Sequence, residues 1–270
     1  MPKSRPLSLI TGASAGIGAA FARELAARGH DLVLTARRTD RLEALAGELR
    51  TKHNCTVTVL PADLADPAAP RQLEAALAER KLAVDWLINN AGYGLPGTFE
   101  ANTWEDHAAF IQVLMTAPTE LAWRLLPGMR TRGYGRIVNV ASLAGHVPGT
   151  AGHTLYGASK AYLIKFSQSL ALENRHLGVH VCALCPGFTW SEFHDVTGTR
   201  ELMNQMPRFM WQTAEEVVRE GCDAVERGDI VRVTGRVNRF IKALVKLMPD
   251  RLALVLSARE SRRYRQAAAH

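Results

Sequence analysis

The sequence predicts an α/β fold in which a doubly wound parallel sheet of about seven strands carries helices on both faces. Two observations lead to this prediction. Short apolar runs alternate along the chain with longer alanine-rich or amphipathic segments, as in repeated strand–helix–strand units. The 270 residues are 47% hydrophobic, and no internal repeat, low-complexity tract or Pro/Ser-rich linker divides them. The chain can therefore bury a substantial core, and we expect one domain over residues 1–270.

Seven strand-like runs follow one another in the sequence. The first, Leu7–Ile10, leads through a glycine-containing turn into an alanine-rich helix that ends at Gly29. The other six runs are Asp31–Thr35, Thr56–Leu60, Trp86–Ile88, Arg136–Val140, His180–Leu184 and Ile230–Thr234. Alanine-rich or amphipathic segments separate the runs from one another. This alternation favours parallel strands that are joined by helices.

The turn after the first strand is a candidate phosphate-binding site. Its sequence, TGASAGIG at residues 11–18, spaces Gly12, Gly16 and Gly18 as G-x-x-x-G-x-G, not as the usual dinucleotide fingerprint. Glycines remove the Cβ atoms that would block a pyrophosphate, and the helix that follows offers free N–H groups and the positive end of its dipole. By itself, this spacing is weak evidence for a nucleotide site.

Tyr156 and Lys160 form a second candidate site, with Ser142 fourteen residues before the tyrosine. Residues four apart lie on one face of a helix, so the phenol and the ammonium can project into one space. The pKa of a tyrosine lies near ~10, and lowering it by ~3 units takes roughly 4 kcal/mol, which an adjacent cation could supply. Ser142 follows the run Arg136–Val140 and would place its hydroxyl at the carboxyl edge of the sheet. The alternative is a surface helix with an ordinary tyrosine and lysine.

Together, these motifs resemble the short-chain dehydrogenase/reductase family. The resemblance covers about residues 5–230, and its motifs stand in the order of the family: the TGASAGIG turn, Asn89-Asn90-Ala91-Gly92, Ser142, Tyr156-x-x-x-Lys160 and Pro186-Gly187. It implies a Rossmann-type fold, a nicotinamide cofactor, and hydride transfer between that cofactor and a carbonyl or alcohol carbon. It also implies three catalytic residues: Tyr156 as the general acid/base, Lys160 as the group that lowers its pKa and binds the nicotinamide ribose, and Ser142 as the residue that orients the substrate oxygen.

The resemblance also indicates which cofactor is used. In such folds an acidic residue at the end of the second strand holds the adenosine ribose, whereas an arginine accommodates the extra phosphate of NADP. Ala36 stands at the acidic position and Arg37 at the arginine position, so NADP(H) is preferred over NAD(H). The alternative is that Arg37 and Arg38 are merely solvated at the start of a helix. By resemblance, the cofactor-binding residues are Gly12, Ser14, Gly16, Ile17, Gly18, Arg37, Arg38, Asp63, Leu64, Asn90, Ala91, Gly92, Tyr156, Lys160, Pro186, Gly187 and Thr189.

One position departs from the family. Many members have an asparagine in the middle of the long helix before the serine-bearing strand, where it helps to hold a water behind the lysine. Aligned on Ala117-Pro118, that position is Leu114, whose side chain cannot hold a water. A proton relay must then run through another group, such as Thr116 or a backbone carbonyl, or proton exchange is less tightly organised.

Residues 188–212, which follow Pro186-Gly187, are expected to form a lid over the substrate, as is usual in this fold. Their apolar side chains suit a bulky hydrophobic substrate, such as an aryl ketone, a steroid-like ring system or a long acyl chain. Packing of the lid on its own helices would explain them equally well. His146 and His153 could line the pocket, although a solvent-exposed position is the simpler expectation. The apolar lid residues are Phe188, Trp190, Phe193, Met203, Met206, Phe209, Met210 and Trp211.

Residues 236–270 are predicted to form a basic amphipathic helical extension. The chain has a net charge of +7, and residues 227–270 alone hold 11 Lys/Arg against 3 Asp/Glu. The extension could lie on an anionic membrane surface, although such helices more often pack their apolar side on the domain or on a partner subunit. No nucleic-acid-binding module accompanies the cations, so nucleic-acid binding is not expected. At helical spacing, Arg239, Lys242 and Lys246 lie opposite Phe240, Leu244, Leu247 and Met248.

The remaining signals concern location and metals. Lys3, Arg5 and the apolar stretch that follows could be a secretion signal, but the glycine turn and the strand–helix–strand continuation argue against it. Four cysteines in a chain without such a signal favour a reducing, cytoplasmic location, with peripheral membrane contact left open. Cys182 and Cys185 spell C-x-x-C, but their odd separation in a strand sends them to opposite faces, so no metal site is expected.

Two functions therefore remain open. The first is an NADP(H)-dependent oxidoreductase that acts on a small hydrophobic carbonyl or alcohol compound. The second is a catalytically weak NADP-binding regulatory or membrane-surface-associated protein. Because members of the family are commonly dimers or tetramers, we expect a homo-oligomer by resemblance.

Overall fold

The computed structural model describes residues 5–95, 97–190 and 207–267, with side chains up to residue 258. The described strands are β1 (Leu7–Thr11), β2 (Asp31–Thr35), β3 (Val57–Val59), β4 (Trp86–Asn89), β5 (Gly135–Val140), β6 (Val179–Cys185), β7 (Phe188–Trp190), β8 (Trp211–Thr213) and β9 (Val231–Val233). Seven of them form one parallel sheet in the order β3-β2-β1-β4-β5-β6-β9. All seven predicted strands are present, and the ends of each differ from the prediction by at most one residue.

Helices cover both faces of this sheet, which confirms the predicted α/β architecture. The described helices are α1 (Gly16–Ala27), α2 (Thr39–His53), α3 (Ala69–Glu79), α4 (Trp104–Ile111), α5 (Ala117–Arg132), α6 (Thr154–Asn174), α7 (Ala214–Arg227), α8 (Arg236–Leu247) and α9 (Asp250–Ala267). One face packs against α1, α2 and α7 through side chains such as Phe21, Leu42 and Val217. The other face packs against α3 to α6 through side chains such as Leu73 and Leu121.

The strand order reverses at β1, which pairs with β2 on one side and with β4 on the other. Helices leave from opposite sides of the sheet at such a point, so a crevice opens at the carboxyl ends of the strands. The glycine turn follows β1, the Asn-Asn-Ala-Gly run follows β4, Ser142 follows β5, and Pro186-Gly187 follow β6. The topology therefore brings four separate sequence motifs to one edge of the sheet.

A small second sheet lies at the expected lid. β7 and β8 pair in parallel, with Phe188 opposite Trp211 and Trp190 opposite Thr213. The rings of Trp190 and Trp211 stack with centroids 4.1 Å apart. These aromatic side chains thus pack on each other across the small sheet. The predicted lid residues Phe193, Met203 and Met206 lie outside the described residues.

The C-terminal segment holds α8 and α9. The inward side of α8 carries Val237, Asn238 and Ile241, and the buried Ala253 lies on α9. The apolar set predicted from the sequence faces outward: Phe240, Leu244 and Leu247 are 70%, 50% and 84% exposed. Of the alternatives from the sequence, packing of these three residues on the domain is therefore not observed, whereas a partner subunit and a membrane surface stay predictions. The reason is that α8 has a second apolar side, which makes the contact with the domain instead.

The four cysteines are free and buried. Cys182 and Cys185 belong to different core clusters, which confirms that they point to opposite faces of β6. Burial raises the pKa of the thiols of Cys182, Cys185 and Cys222 to about 12. Among the described residues, no helix is long and apolar enough to cross a membrane.

Candidate active site

The glycine turn between β1 and α1 has the shape that a close ligand approach requires. Gly12 and Gly16 have φ values of +65° and +53°, in the left-handed region that glycine adopts without strain. A Cβ on Gly18 would overlap the carbonyl oxygen of Gly12. The N-cap residue of α1, Ala15, makes no side-chain hydrogen bond, so the first N–H groups of this helix are open to an anion.

Asn90 ties this turn to the end of β4. Its side-chain Nδ2 donates to the backbone oxygens of Thr11 at 2.9 Å and Gly12 at 3.3 Å. In return, Thr11 Oγ1 accepts from the backbone N–H groups of Asn90 at 2.9 Å and Ala91 at 3.0 Å. Thr11 was not among the predicted site residues, because a threonine at the end of a strand has no chemistry that marks it. The four bonds fix the spacing between the turn and the Asn-Ala-Gly run.

Arg38 reaches back to the glycine turn. Its guanidinium donates to Ser14 Oγ through Nε at 3.2 Å and Nη2 at 3.1 Å. Arg37 is exposed at the end of β2, and its charge acts on the phenol of Tyr93. One cation, Arg38, thus stands beside the open N-terminus of α1. Because Arg38 is hydrogen bonded to Ser14 in the turn, it is not merely solvated at the start of α2.

Three more predicted residues lie at the rim of the same crevice. Asp63 is exposed, and its Oδ1 accepts from the N–H of Ala65 at 3.0 Å. Leu64 is 7% exposed and packs in the core, so only its backbone can meet a ligand. Gly92 is exposed, and a Cβ there would lie 3.7 Å from Leu114 Cγ.

Ser142 lies two residues beyond the end of β5. Its Oγ accepts from the N–H of Ala144 at 3.1 Å and so caps the short 3₁₀ helix Leu143–Gly145. The N–H of Leu143 donates to the backbone oxygen of Pro186 at 2.8 Å. This bond holds the serine loop against the loop that follows β6, as the prediction of a shared site requires.

Tyr156 and Lys160 lie one turn apart in the first half of α6, as predicted from their spacing. Lys160 is 6% exposed, and its Nζ donates to the backbone oxygen of Val140 at 2.8 Å. The same Nζ lies 5.5 Å from the centroid of the Tyr156 ring. The tyrosine is hydrogen bonded to Ser142. The structure therefore brings the three predicted catalytic residues together beside the end of β5.

The pKa of Tyr156 differs from the value that was expected from the sequence. Burial raises the pKa of the Tyr156 phenol above its ordinary value of 10.0, and the hydrogen bond with Ser142 opposes this rise only in part. Burial lowers the pKa of Lys160 to about 8. The lowering of the Tyr156 pKa by Lys160, expected from their spacing, is therefore reversed here. The physical reason is that both side chains lose water, and desolvation disfavours the charged form of each.

The loop after β6 is held by α8. A Cβ on Gly187 would overlap the side-chain amide of Asn238, and Asn238 Nδ2 donates to the backbone oxygen of Thr234 at 2.9 Å. Asn238 is 2% exposed. Thr189 is also buried, and its Oγ1 donates to the backbone oxygen of Gly187 at 3.2 Å. Asn238 was missed in the sequence because nothing local connects it with residues 186–189.

The predicted departure at Leu114 coincides with a local change of helix type. Residues Gln112–Thr116 form a π-helical turn between α4 and α5, and Leu114 is 1% exposed in it. A cavity of about 10 Å³, the size of one water, lies beside Leu114 and Asn89. Thr116, one of two groups suggested for the relay, is exposed, whereas Lys160 is buried and bonds to a backbone carbonyl, that of Val140.

His146 and His153 are both partly buried, so the expectation of solvent exposure is wrong. Burial lowers the pKa of both, that of His146 to about 4, where Lys242 and Lys165 add to the effect. The loop that carries them is covered in part by the C-terminal segment, because Ser257 on α9 donates to the backbone oxygen of Gly149 at 2.7 Å.

Known proteins resemble this chain over most of its length. A family model described as short chain dehydrogenase matches residues 7–201. A sulfoacetaldehyde reductase of Chromohalobacter salexigens is 40% identical over 189 residues, which is 68% of this chain and 72% of the relative.

Two solved structures share the fold. A short-chain dehydrogenase from Sphingobium yanoikuyae in complex with NADPH is 35% identical with a TM-score of 0.79, and the match covers 91% of this chain and 96% of the other. A bulky-bulky ketone specific alcohol dehydrogenase from Comamonas testosteroni is 32% identical with a TM-score of 0.75, covering 91% and 95%.

Proposed function

Because the chain belongs to the short-chain dehydrogenase family, it is an oxidoreductase with a nicotinamide cofactor, and we propose that it is NADP(H)-dependent and acts on a hydrophobic carbonyl or alcohol compound. Ser142, Tyr156 and Lys160 are the proposed catalytic residues. The observation that carries this proposal is the contact between them. Ser142 is hydrogen bonded to Tyr156, and Lys160 Nζ lies 5.5 Å from the centroid of the tyrosine ring. All three lie at the edge of the sheet that also holds the glycine turn.

The residues of the crevice fit a nicotinamide dinucleotide. The left-handed glycines and the open N-terminus of α1 suit a pyrophosphate, which accepts hydrogen bonds from N–H groups and is attracted by a helix dipole. The other proposed cofactor contacts are those named from the sequence: Ser14, Ile17 and Gly18 in the turn, Asp63, Leu64, Asn90, Ala91 and Gly92 at the rim, and Pro186, Gly187 and Thr189 after β6. When bound, the nicotinamide supplies or accepts the hydride.

Side chains of the protein supply the proton that the reduction of a carbonyl requires. Since burial raises the Tyr156 pKa, this phenol holds its proton at neutral pH and can donate it to a carbonyl oxygen as general acid. Ser142, already bonded to Tyr156, would orient that oxygen with its hydroxyl. The Lys160 ammonium beside the ring would stabilise the phenolate that proton donation leaves behind.

The preference for NADP(H) is proposed from charge. Arg37 and Arg38 are cations at the end of β2, and the position before them is Ala36, which has no carboxylate to repel a phosphate. Arg38 is held next to the turn by Ser14, so its position is set before a ligand arrives. The NADPH complex of the Sphingobium yanoikuyae relative supports the same choice.

The proposal of a hydrophobic substrate is based on the aromatic side chains of the expected lid. Phe188 and Trp190 directly follow the Pro186-Gly187 loop, and Trp211 packs against both of them. Trp190 remains 44% exposed although it stacks on Trp211, so an aromatic surface is available beside the site. A bulky ketone fits such a surface, in keeping with the name of the Comamonas testosteroni relative.

The remaining proposals concern assembly and location. Trp104 and Trp123 are 67% and 69% exposed on α4 and α5, and Leu172 on the neighbouring α6 is 62% exposed. Such a surface supports a homo-oligomer, either a dimer or a tetramer, that forms through these helices. The four free cysteines support a cytoplasmic location.

The test is a turnover screen with purified protein. NADPH oxidation is followed by absorbance with short ketones, aromatic ketones, steroids and long-chain acyl compounds, and Tyr156→Phe is the matched control. Phenylalanine keeps the ring and removes the acidic hydroxyl. We expect Tyr156→Phe to lower kcat by about 10²–10⁴-fold while the Kd for NADPH, measured by fluorescence, stays within about threefold.

Two outcomes would contradict the proposal. Equal rates for the wild-type protein and Tyr156→Phe would remove Tyr156 from the chemistry. Tight NADPH binding without turnover of any compound would leave the catalytically weak NADP-binding protein, which was the alternative from the sequence.

A further inference from the structure

The outward side of α8 is apolar and exposed. Phe240, Leu244 and Leu247 are 70%, 50% and 84% exposed, and they lie on one side of the helix at spacings of four and three. The inward side is made by other residues, including Asn238, which is 2% exposed. α8 is thus apolar on two sides, and the domain covers one of them. We call the other side, with the exposed apolar residues of α9 and Phe209 described below, the C-terminal face.

The same exposed character continues into α9. Leu252, Leu254, Val255 and Leu256 are between 42% and 56% exposed, while Ala253 and Ser257 face the domain. Phe209, in the 3₁₀ helix next to α8, is 71% exposed. Single exposed apolar residues are common on proteins, but eight large ones in the 3₁₀ helix, α8 and α9 are a concentration typical of an interaction surface.

Cations accompany these apolar residues along the chain. Between residues 236 and 258 the chain has five Lys or Arg residues and one acid, Asp250. Arg239 is engaged by Glu220, whereas Arg236, Lys246 and Arg251 are exposed. Apolar side chains with lysine and arginine at their border are the pattern of a helix that lies in the interface of a membrane.

The positive charge of this face also distinguishes between two possible partners, a second copy of the chain and an anionic lipid surface. A two-fold contact between two copies would place this cationic face against itself, because the same patch meets on both subunits. An anionic lipid surface instead attracts each cation by about 1 kcal/mol and accepts the apolar side chains at the headgroup boundary. We propose that the C-terminal face docks on the surface of an anionic lipid bilayer.

This inference stands on the surface of α8 and α9 and does not require the proposed activity. It does have a consequence for the site, because both helices contact loops of the crevice. Asn238 packs against Gly187, and Ser257 bonds to the loop between Ser142 and Tyr156. A docked protein would therefore hold the mouth of its crevice close to the bilayer, where lipophilic carbonyl compounds concentrate.

The test is co-sedimentation of the full-length protein with vesicles of phosphatidylcholine alone or with phosphatidylglycerol added. We expect at least about tenfold tighter binding to the anionic vesicles, and weaker binding as salt is raised, since surface charges are screened. Leu247→Ser should lower the affinity by about fivefold or more, whereas Leu177→Ser, an exposed leucine elsewhere, should not. Lys246→Glu should also weaken binding, with the exposed Lys52→Glu as its matched control.

NADPH binding and turnover in solution check that each variant is folded, and they report on the proposed function independently of lipid. Equal binding of wild-type protein and Leu247→Ser, or no preference for anionic vesicles, would overturn the proposal. So would a fall in molecular mass for Leu247→Ser in light scattering without lipid, because the occupant would then be a second copy of the chain.

Discussion

The side-chain amide of Asn238, on α8, occupies the space directly beside the Cα of Gly187, in the loop after β6. The two residues are far apart in sequence, and a Cβ at position 187 would overlap the amide. Asn238 is held by its bond to the backbone oxygen of Thr234. The C-terminal segment therefore sets the position of a loop that borders the site.

From this contact, we predict that Gly187→Ala lowers the free energy of unfolding by about 1–3 kcal/mol, since it forces overlap in a packed region. Asn238→Ser shortens the opposing side chain, so in the double variant Gly187→Ala should cost less than it does alone. Urea denaturation of the four proteins gives the coupling energy. Strictly additive costs would show that the two residues do not press on each other.

A second prediction concerns Arg37 and Arg38. If they hold the extra phosphate of NADP, Arg37→Ala and Arg38→Ala should each lower kcat/KM for NADPH by about 10- to 100-fold, the value of a charge-assisted hydrogen bond. The same variants should change kcat/KM for NADH less than threefold. Equal losses with both cofactors would mean that the arginines act on the shared part of the molecule, not on its phosphate.

A third prediction follows from the buried ammonium of Lys160. Its pKa is about 8 in the folded protein, below the ordinary 10.5, so the unfolded chain binds more protons between these values. Stability should therefore rise with pH from about 8 to 10.5, relative to Lys160→Met, by about 3 kcal/mol. Below pH 8 the difference between the two proteins should be constant. Denaturant midpoints of both proteins across pH 7 to 11 measure it, and parallel curves would contradict the assigned pKa.

A fourth prediction addresses proton supply at Leu114. Leu114→Asn places an amide beside the small cavity near Asn89, where it can hold a water. We expect stability to fall by about 1–3 kcal/mol, and the solvent deuterium isotope effect on kcat to decrease because proton exchange is better organised. Leu121→Asn, at an equally buried leucine of α5, should cost similar stability and leave the isotope effect unchanged. An unchanged isotope effect in Leu114→Asn would separate Leu114 from the relay.

The strands and the glycine turn could be predicted because their signals are local. Apolar runs such as Asp31–Thr35 are bounded by turn residues, and Gly12 and Gly16 occupy backbone conformations that few other residues accept. The meeting of Ser142, Tyr156 and Lys160 could be predicted as well, because their motifs follow strands that end at one edge.

Other features depend on tertiary contacts that the sequence pattern does not show. The pKa of Tyr156 is set first by burial, which depends on the loops and helices packed around it. The roles of Thr11 and Asn238 depend on partners about 50 or more residues away. The outward direction of Phe240 and Leu247 was not predictable, because α8 has two apolar sides and only packing decides which one the domain covers.

The buried thiols have a practical consequence. With each of the four cysteines inside the core, and three of them with a pKa of about 12, little thiolate is available to alkylating reagents at neutral pH. A single cysteine introduced on the surface can therefore be labelled selectively in the otherwise natural chain. A fluorophore at position 247 would then report by its emission colour whether α8 enters lipid.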